Sequence, residues 1–279
     1  MKIPVIRNQE PLPVSAGIST LAKVEFERNP HPAVLKQPKN FWDEVFVANE
    51  AFILNEVTHP RVRRKLAYDA ATHRLFLEFI DGVTLNELVQ SKVTLQEPAH
   101  AHRILQSVAE TMADLHAGIL CGEPLIHNDL KSMNVLVPAA SPDETMLIDF
   151  SHSYFKDRLP PFIADKLKEL VGTAKYMAPE KWDGDFSKGD KSDVFAFGVM
   201  AYYAYTGNHP FDGDLAAIEQ QIRNAEPPSP MKLGVNVLRN TWAVVMSCLT
   251  KNPASRPAME QVARYYAESA GLAGQPSIC

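Results

Sequence analysis

The sequence predicts an α+β protein of two lobes: a small β-rich N-terminal lobe with one helix and a larger, mainly helical C-terminal lobe, joined near residues 78–84. Three observations carry this reading. Residues 12–36 are short mixed runs broken by Gly17, Pro30 and Pro32, the texture of hairpin strands. A single stretch follows them in which Phe41, Val45, Phe46, Ala48, Phe52, Ile53 and Val57 approximate helical spacing. Beyond residue 95 helical periodicity dominates to the end.

In chain order, His59-Pro60 stops the first helix, because the residue before a proline avoids the α region. Leu75 to Ile80 is a compact apolar run ended by Asp81-Gly82, a strand and its turn. Thr84-x-x-Glu87 is a capping box that opens a short helix through Val89. Ile104, Val108, Met112, Leu115 and Ile119 mark a long amphipathic helix starting near Pro98. Val135–Val137 and Met146–Ile148 read as a hairpin around Ser141-Pro142-Asp143, and helical runs follow at 192–206, 215–224, 235–250 and 258–270. One domain over 1–270 is expected, with an N-lobe of about 1–80, a C-lobe of about 84–270 and a tail at 271–279.

Composition narrows the function classes. The 279 residues are 46% hydrophobic and 22% charged, a globular balance with neither repeats nor low-complexity tracts. The net charge of −5 has the wrong sign for a nucleic-acid binder. Cys121, Cys248 and Cys279 are too few and too scattered for a disulfide framework or a zinc site, which suits a reducing compartment. Prolines and charges interrupt the N-terminus, so no secretory leader is read there, and the apolar run Val194–Tyr205 is too short for a bilayer. Cys279 lies at the wrong position for prenylation. The expectation is a cytoplasmic protein without a membrane anchor, or an exported effector without a leader.

The chemistry concentrates in His127-Asn-Asp129-Leu-Lys131-Ser-Met-Asn134, set between the long helix and a strand, with Asp149 fifteen residues beyond Asn134. This spacing suits phosphoryl transfer. A loop Asp can accept a hydroxyl proton while a neighbouring Lys neutralises the transferred group, and Asn with a second Asp offers hard oxygen ligands to Mg²⁺.

With Asp149-Phe150-Ser151, these residues resemble the catalytic and metal motifs of eukaryotic-type protein kinases, His-Arg-Asp-Leu-Lys-x-x-Asn and Asp-Phe-Gly. Further matches follow in order: Val171-Gly-Thr173-Ala-Lys-Tyr-Met-Ala178-Pro-Glu180, similar to the end of an activation segment; Asp193-Val-Phe-Ala-Phe-Gly198, similar to the helix that anchors the catalytic loop; and Arg256, the partner expected for Glu180. The resemblance implies a bilobal kinase-like fold using ATP and Mg²⁺, with Mn²⁺ as a substitute. It assigns Asp129 as base, Lys131 as phosphoryl-stabilising cation, Asn134 and Asp149 as metal ligands, and Lys36 of Ala33-Val-Leu-Lys36 as phosphate anchor paired with Glu50. Leu77 falls at the gatekeeper position, Glu78 and Ile80 offer backbone groups to adenine, and Ala33 and Leu136 complete the nucleotide set.

The glycine loop has one glycine where the family has three. Gly17-Ile-Ser19-Thr-Leu21 is similar to the Gly-Gly-Met-Ser-x-Val variant of bacterial Ser/Thr kinases and reads as the nucleotide lid. Asn128 stands where the family has the Arg that docks a phosphorylated segment, so little dependence on that phosphorylation is expected through this residue. Ser151 stands for the Gly of Asp-Phe-Gly, which either disfavours an inactive flip or displaces Asp149. Lys131 and Thr173 resemble the Ser/Thr-specific branch, implying a protein substrate with a Ser or Thr acceptor.

Other prominent residues have plainer readings. His116 and His152 are packed or exposed side chains; His127 orients the loop by packing and hydrogen bonding; Arg61-Val-Arg-Arg-Lys65 is a solvated basic run. Phe162–Leu170 has the pattern of a short amphipathic helix. Two alternatives stand beside the kinase reading. A nucleotide-binding scaffold would account for the poor glycine loop, Asn128 and Ser151 together. A small-molecule kinase would share the His-x-Asp-x-x-x-x-Asn loop, though the 172–180 segment favours a protein substrate.

Overall fold

The computed structural model describes residues 5–12, 19–27, 30–119, 122–158, 174–229 and 237–270. Its N-terminal part is an antiparallel five-stranded sheet in the order β1 (Ile6–Pro11), β2 (Ser19–Phe26), β3 (Ala33–Pro38), β5 (Arg74–Glu78), β4 (Lys65–Asp69). The edge strand β1 is absent from the sequence reading. It is almost wholly exposed, so it carries no apolar alternation to detect, and its proline is tolerable because an edge strand has one unpaired side.

Strand alternation decides where β3 sends its side chains. Ala33 and Leu35 join Ala22, Val24, Phe26, Ala67 and Phe76 in a small core on one face of the sheet. Val34 lies on the opposite face, in the main core with Leu75, Leu77 and the helix behind them. Lys36, two residues along, shares the face of Val34. That helix is α1 (Phe41–Glu56); the Asn40 side chain caps it by accepting from the N–H groups of Trp42 and Asp43. Its end just before His59-Pro60 is as expected.

The Arg61–Lys65 run is not a solvated loop. Arg61 pairs with Glu110 at 2.8 Å, Arg64 forks onto Glu78 at 2.7 and 3.0 Å, and Lys65 donates to the Ala51 carbonyl at 2.9 Å. Arg63 buries its Nε. Local composition alone suggested solvent; the partners lie 10 to 49 residues away, beyond the reach of a window reading.

A short strand β6 (Gly82–Thr84) leads into α2 (Leu85–Gln90), and the capping box forms as expected, with Thr84 and Glu87 bonded in both directions. Gly82 is required where β6 crosses β8: a Cβ there would sit 2.3 Å from the Val137 carbonyl oxygen. After α3 (Val93–Gln96) comes α4 (Pro98–His116), whose buried face holds Ile104, Leu105, Val108, Met112 and Leu115.

Two small β-pairs then frame the loops that carry the chemistry. β7 (Leu125–Ile126) pairs with β10 (Tyr154–Phe155), and β8 (Val135–Pro138) pairs with β6 and β9 (Met146–Leu147). Residues 127–134 are thus held between β7 and β8, and residues 148–153 between β9 and β10. The rest is helical: α5 (Pro179–Trp182), α6 (Gly189–Thr206), α7 (Leu215–Asn224), α8 (Arg239–Cys248) and α9 (Met259–Ser269). α6 is buried almost all round, as its long apolar run requires, and packs against α4 and α8. Among the described residues no helix is long and apolar enough to cross a membrane.

Candidate active site

Four elements converge on one cleft. Lys36 leaves β3 on the α1 face, and its Nζ donates to Glu50 Oε2 at 2.7 Å and to Asp149 Oδ1 at 2.8 Å. Glu50 lies on α1, 1% exposed, and its other oxygen accepts from the Phe150 N–H at 3.1 Å. One carboxylate therefore reads both the β3 cation and the backbone beside Asp149. Burial opposes the charge on Lys36, yet Asp149 and Glu50 hold its ammonium above the ordinary lysine range. Burial likewise works against ionised Asp149, but the neighbouring Lys36 holds that carboxyl well below the usual carboxylate range. Burial pushes Glu50 upward against the pull of Lys36.

The loop after β7 supplies the second cluster. Lys131 Nζ donates to Asp129 Oδ2 at 2.6 Å. Asn134 turns its amide nitrogen toward Asp129, donating to its carbonyl at 2.9 Å and to Oδ2 at 3.2 Å. Asn134 Oδ1 remains as the group's acceptor. The Ile148 N–H donates to the Asn134 carbonyl at 3.0 Å, tying the two chemical loops together one residue before Asp149. Both side-chain bonds of Asp149 fall on Oδ1, from Lys36 and from Ser151 Oγ at 2.6 Å. The atoms these bonds leave over, Asn134 Oδ1 and Asp149 Oδ2, are both oxygens, the donor type that suits a hard divalent cation and not a thiophilic one.

The backbone is strained where these side chains are aimed. Asp149 has φ 63° and Asn128 φ 68°, left-handed values that Asn and Asp tolerate better than other residues, at a cost of about 1 kcal/mol each. Asn128 and His127 are fixed from below by Asp193 at the start of α6, which accepts from their N–H groups at 2.9 and 2.8 Å. His116 completes that buried carboxylate at 3.0 Å, a partnership no sequence signal indicated. His127 orients the loop by packing and hydrogen bonding as expected, the bonds being made by its backbone. Its ring packs on Phe150 at 4.8 Å, but neither ring nitrogen has a hydrogen-bond partner among the described residues.

The remaining expected residues fall as follows. Ser19 and Leu21 lie on β2, with Leu21 directly opposite Lys36 and the Ser19 hydroxyl buried without a hydrogen-bond partner among the described residues. Ala33 sits opposite Glu78 across β3 and β5, and Leu136 lies on β8 opposite Thr84. The Glu78 N–H donates to the Arg64 carbonyl at 2.9 Å, so that group is committed to the sheet. Ile80 follows β5 and is half-buried. Glu180 forms a two-point pair with Arg256 at 2.7 and 2.8 Å. Gly17, Thr173 and the Phe162–Leu170 pattern lie outside the described residues.

Three further side chains shape the site without having stood out in the sequence. Asn49, beside Glu50 on α1, donates to the carbonyls of Ser151 and Ser153 at 3.0 and 2.9 Å, so α1 holds the segment after Asp149 as well as Lys36. The Ser151 hydroxyl, which sequence reasoning treated only as a bulkier glycine, is a hydrogen-bond donor to Asp149. Lys181 donates to Asn128.

The protein kinase domain family matches residues 33–266, most of the chain. The chain belongs to that family. It is similar to the serine/threonine-protein kinase PkaA of Streptomyces coelicolor, 32% identical over 219 residues that make up 77% of this chain and 38% of the relative. It is 30% identical over 191 residues to PknB of Mycobacterium tuberculosis, covering 65% of this chain and 28% of that one, and 29% identical over 215 residues to pkn2 of Myxococcus xanthus, covering 75% and 25%. The chain thus spans well under half the length of these relatives. Among solved structures, the kinase domain in the crystal structure of Rad53 kinase domain and SCD2 superposes with a TM-score of 0.71 at 19% identity, covering 87% of this chain and 84% of that one, a likeness of fold.

Proposed function

We propose that this kinase transfers the γ-phosphoryl group of ATP, with Mg²⁺, to Ser or Thr hydroxyls of a protein substrate, and that residues 1–270 form the domain that does so. The observation that carries the reading is the joining of Lys36, Glu50 and Asp149 at 2.7 and 2.8 Å beside the Asp129–Lys131 pair at 2.6 Å. The named serine/threonine kinases among its relatives support the acceptor class.

In this reading Lys36, steadied by Glu50, holds the α- and β-phosphates. Asn134 Oδ1 and Asp149 would hold the metal, which supplies charge neutralisation at the phosphates; Mn²⁺ offers the same oxygen chemistry. Asp129 accepts the proton of the incoming hydroxyl as its oxygen bonds to the γ-phosphorus and the bond to the β–γ bridging oxygen breaks, releasing ADP. Lys131 withdraws from Asp129 toward the transferred group and stabilises its charge. Leu21, Ala33 and Leu136 sandwich the adenine, with backbone groups at Glu78 and Ile80 reading its edge.

The test is transfer of labelled γ-phosphate from Mg²⁺-ATP to the chain itself and to a basic protein substrate, beside Asp129→Asn. Label on Ser or Thr that falls at least 10²-fold in the variant supports the proposal. Absence of label from the wild type, with ATP still raising its melting temperature, overturns it.

A further inference from the structure

Asn128 occupies the position from which the family's Arg reaches a phosphate, and the structure gives that position another partner. Its side-chain oxygen accepts from Lys181 Nζ at 2.6 Å, and its carbonyl accepts from the same ammonium at 3.2 Å. Its amide nitrogen donates to the His152 carbonyl at 3.0 Å, and its N–H donates to Asp193 at 2.9 Å. One residue, immediately before Asp129, thus joins the segment after Asp149, the start of α6, and α5. Its left-handed backbone, φ 68°, aims these groups in three directions at once.

Lys181 is the cation of this junction. It follows Glu180 on α5, so two adjacent side chains pin that helix at two points: Glu180 to Arg256 ahead of α9, Lys181 to the loop of Asp129. Burial lowers the basicity of Lys181, while Asp193, Glu180 and Asp129 favour its charge and Arg256 opposes it. Asn128 suits this partner where the family's Arg would not, because a guanidinium there would face an ammonium already in place.

We propose that Lys181 is a positioning residue for phosphoryl transfer, one that locks the Asp129 loop to α5 through Asn128 and so holds the loop ready without any phosphate on the chain. The lysine stands in for the phosphate-and-arginine clamp as a genetically encoded tether. The proposal rests on the kinase reading for its catalytic consequence but not for its structural one.

The experiment uses the full chain, freed of phosphate by a phosphatase and checked by mass spectrometry. It measures kcat and the KM for ATP with a basic protein substrate, together with hydrogen–deuterium exchange of amides 126–134. The dephosphorylated wild type is expected to keep its kcat within about twofold. Lys181→Met is expected to lose about tenfold or more in kcat, with the KM for ATP and the ATP-induced rise in melting temperature almost unchanged, because the nucleotide groups on β3 and α1 are untouched. Lys181→Arg restores kcat. Asn128→Gly keeps the left-handed backbone and the carbonyl but removes the side-chain acceptor and the donor to His152; it loses at least as much kcat, and adding Lys181→Met to it causes no further fall. Amides 126–134 exchange several-fold faster in Lys181→Met while those of α9 do not.

A wild type that loses tenfold on dephosphorylation overturns the proposal. So does a Lys181→Met chain with wild-type kcat and wild-type exchange. If the wild type transfers no phosphate to any acceptor, the kinase reading fails, and the exchange measurement still decides the Lys181 junction.

Discussion

At the scale of single residues, the site is organised by carboxylates with divided duties. Glu50 gives one oxygen to Lys36 and the other to the Phe150 N–H, so a shift of α1 moves both the Lys36 ammonium and the backbone beside Asp149. Asp149 concentrates its protein bonds on Oδ1, where Ser151 donates at 2.6 Å. Hydrogen bonds to a charged acceptor are worth about 1.5–3 kcal/mol, so Ser151 helps fix the rotamer of Asp149, the carboxylate proposed to hold the metal. Ser151→Ala and Ser151→Gly are both expected to raise the Mg²⁺ concentration for half-maximal rate by roughly three- to tenfold. A rise in the glycine variant alone would show that backbone freedom matters and the hydroxyl does not.

At the scale of elements, α5 is a single turn that cannot hold itself in place and depends on its side chains. Arg256 is 2% exposed and Glu180 8%, and removing one partner strands a buried charge. Arg256→Met is expected to cost about 3–5 kcal/mol in urea unfolding, with part of that regained in the double variant Glu180→Gln/Arg256→Met. Additive losses would mean that the two side chains act separately. Much at this scale was legible in the sequence. The span of α1, the capping box of α2, the pairing of β8 with β9 and the buried character of α6 all follow from local pattern and turn chemistry. The order of the catalytic motifs gave the Lys36–Glu50 and Glu180–Arg256 pairs through resemblance, and placed Asp129 and Lys131 in one loop without pairing them. What stayed hidden were polar partners distant along the chain. Asn49 reaches residues 102 and 104 positions away, and His116 finds Asp193 at 77, separations for which a lone sequence contains no pattern. The edge strand β1 was hidden for the opposite reason, having too little buried surface to leave a period.

At the scale of the whole molecule, several histidines are folded into places where they are neutral. Burial lowers the pKa of His59, His102 and His127, and His209, stacked on Tyr203 at 4.3 Å, is held down at about 4. In the unfolded chain each would bind a proton near pH 6.5, so between that value and about 4 the unfolded state takes up more protons than the folded one. Stability is therefore complete above about pH 6.5 and declines as pH falls. Glu180, whose burial is outweighed by its bonds to Arg256, lies below the usual carboxylate range and adds a further loss below about 4.5. Melting temperatures read from pH 7.5 to 4.5 should fall, and His209→Gln should flatten part of the slope. A melting temperature constant down to pH 5 would contradict this account.

The burial of α6 on nearly every side has a consequence during synthesis. One of its packing partners, α8, begins at Arg239, well after α6 ends at Thr206. At roughly 5–20 residues per second, the helix waits on the order of several seconds after leaving the ribosome before that partner exists. For that interval Phe195, Phe197 and Met200 belong to an incomplete core. The newborn chain therefore presents a greasy surface that the finished protein never shows.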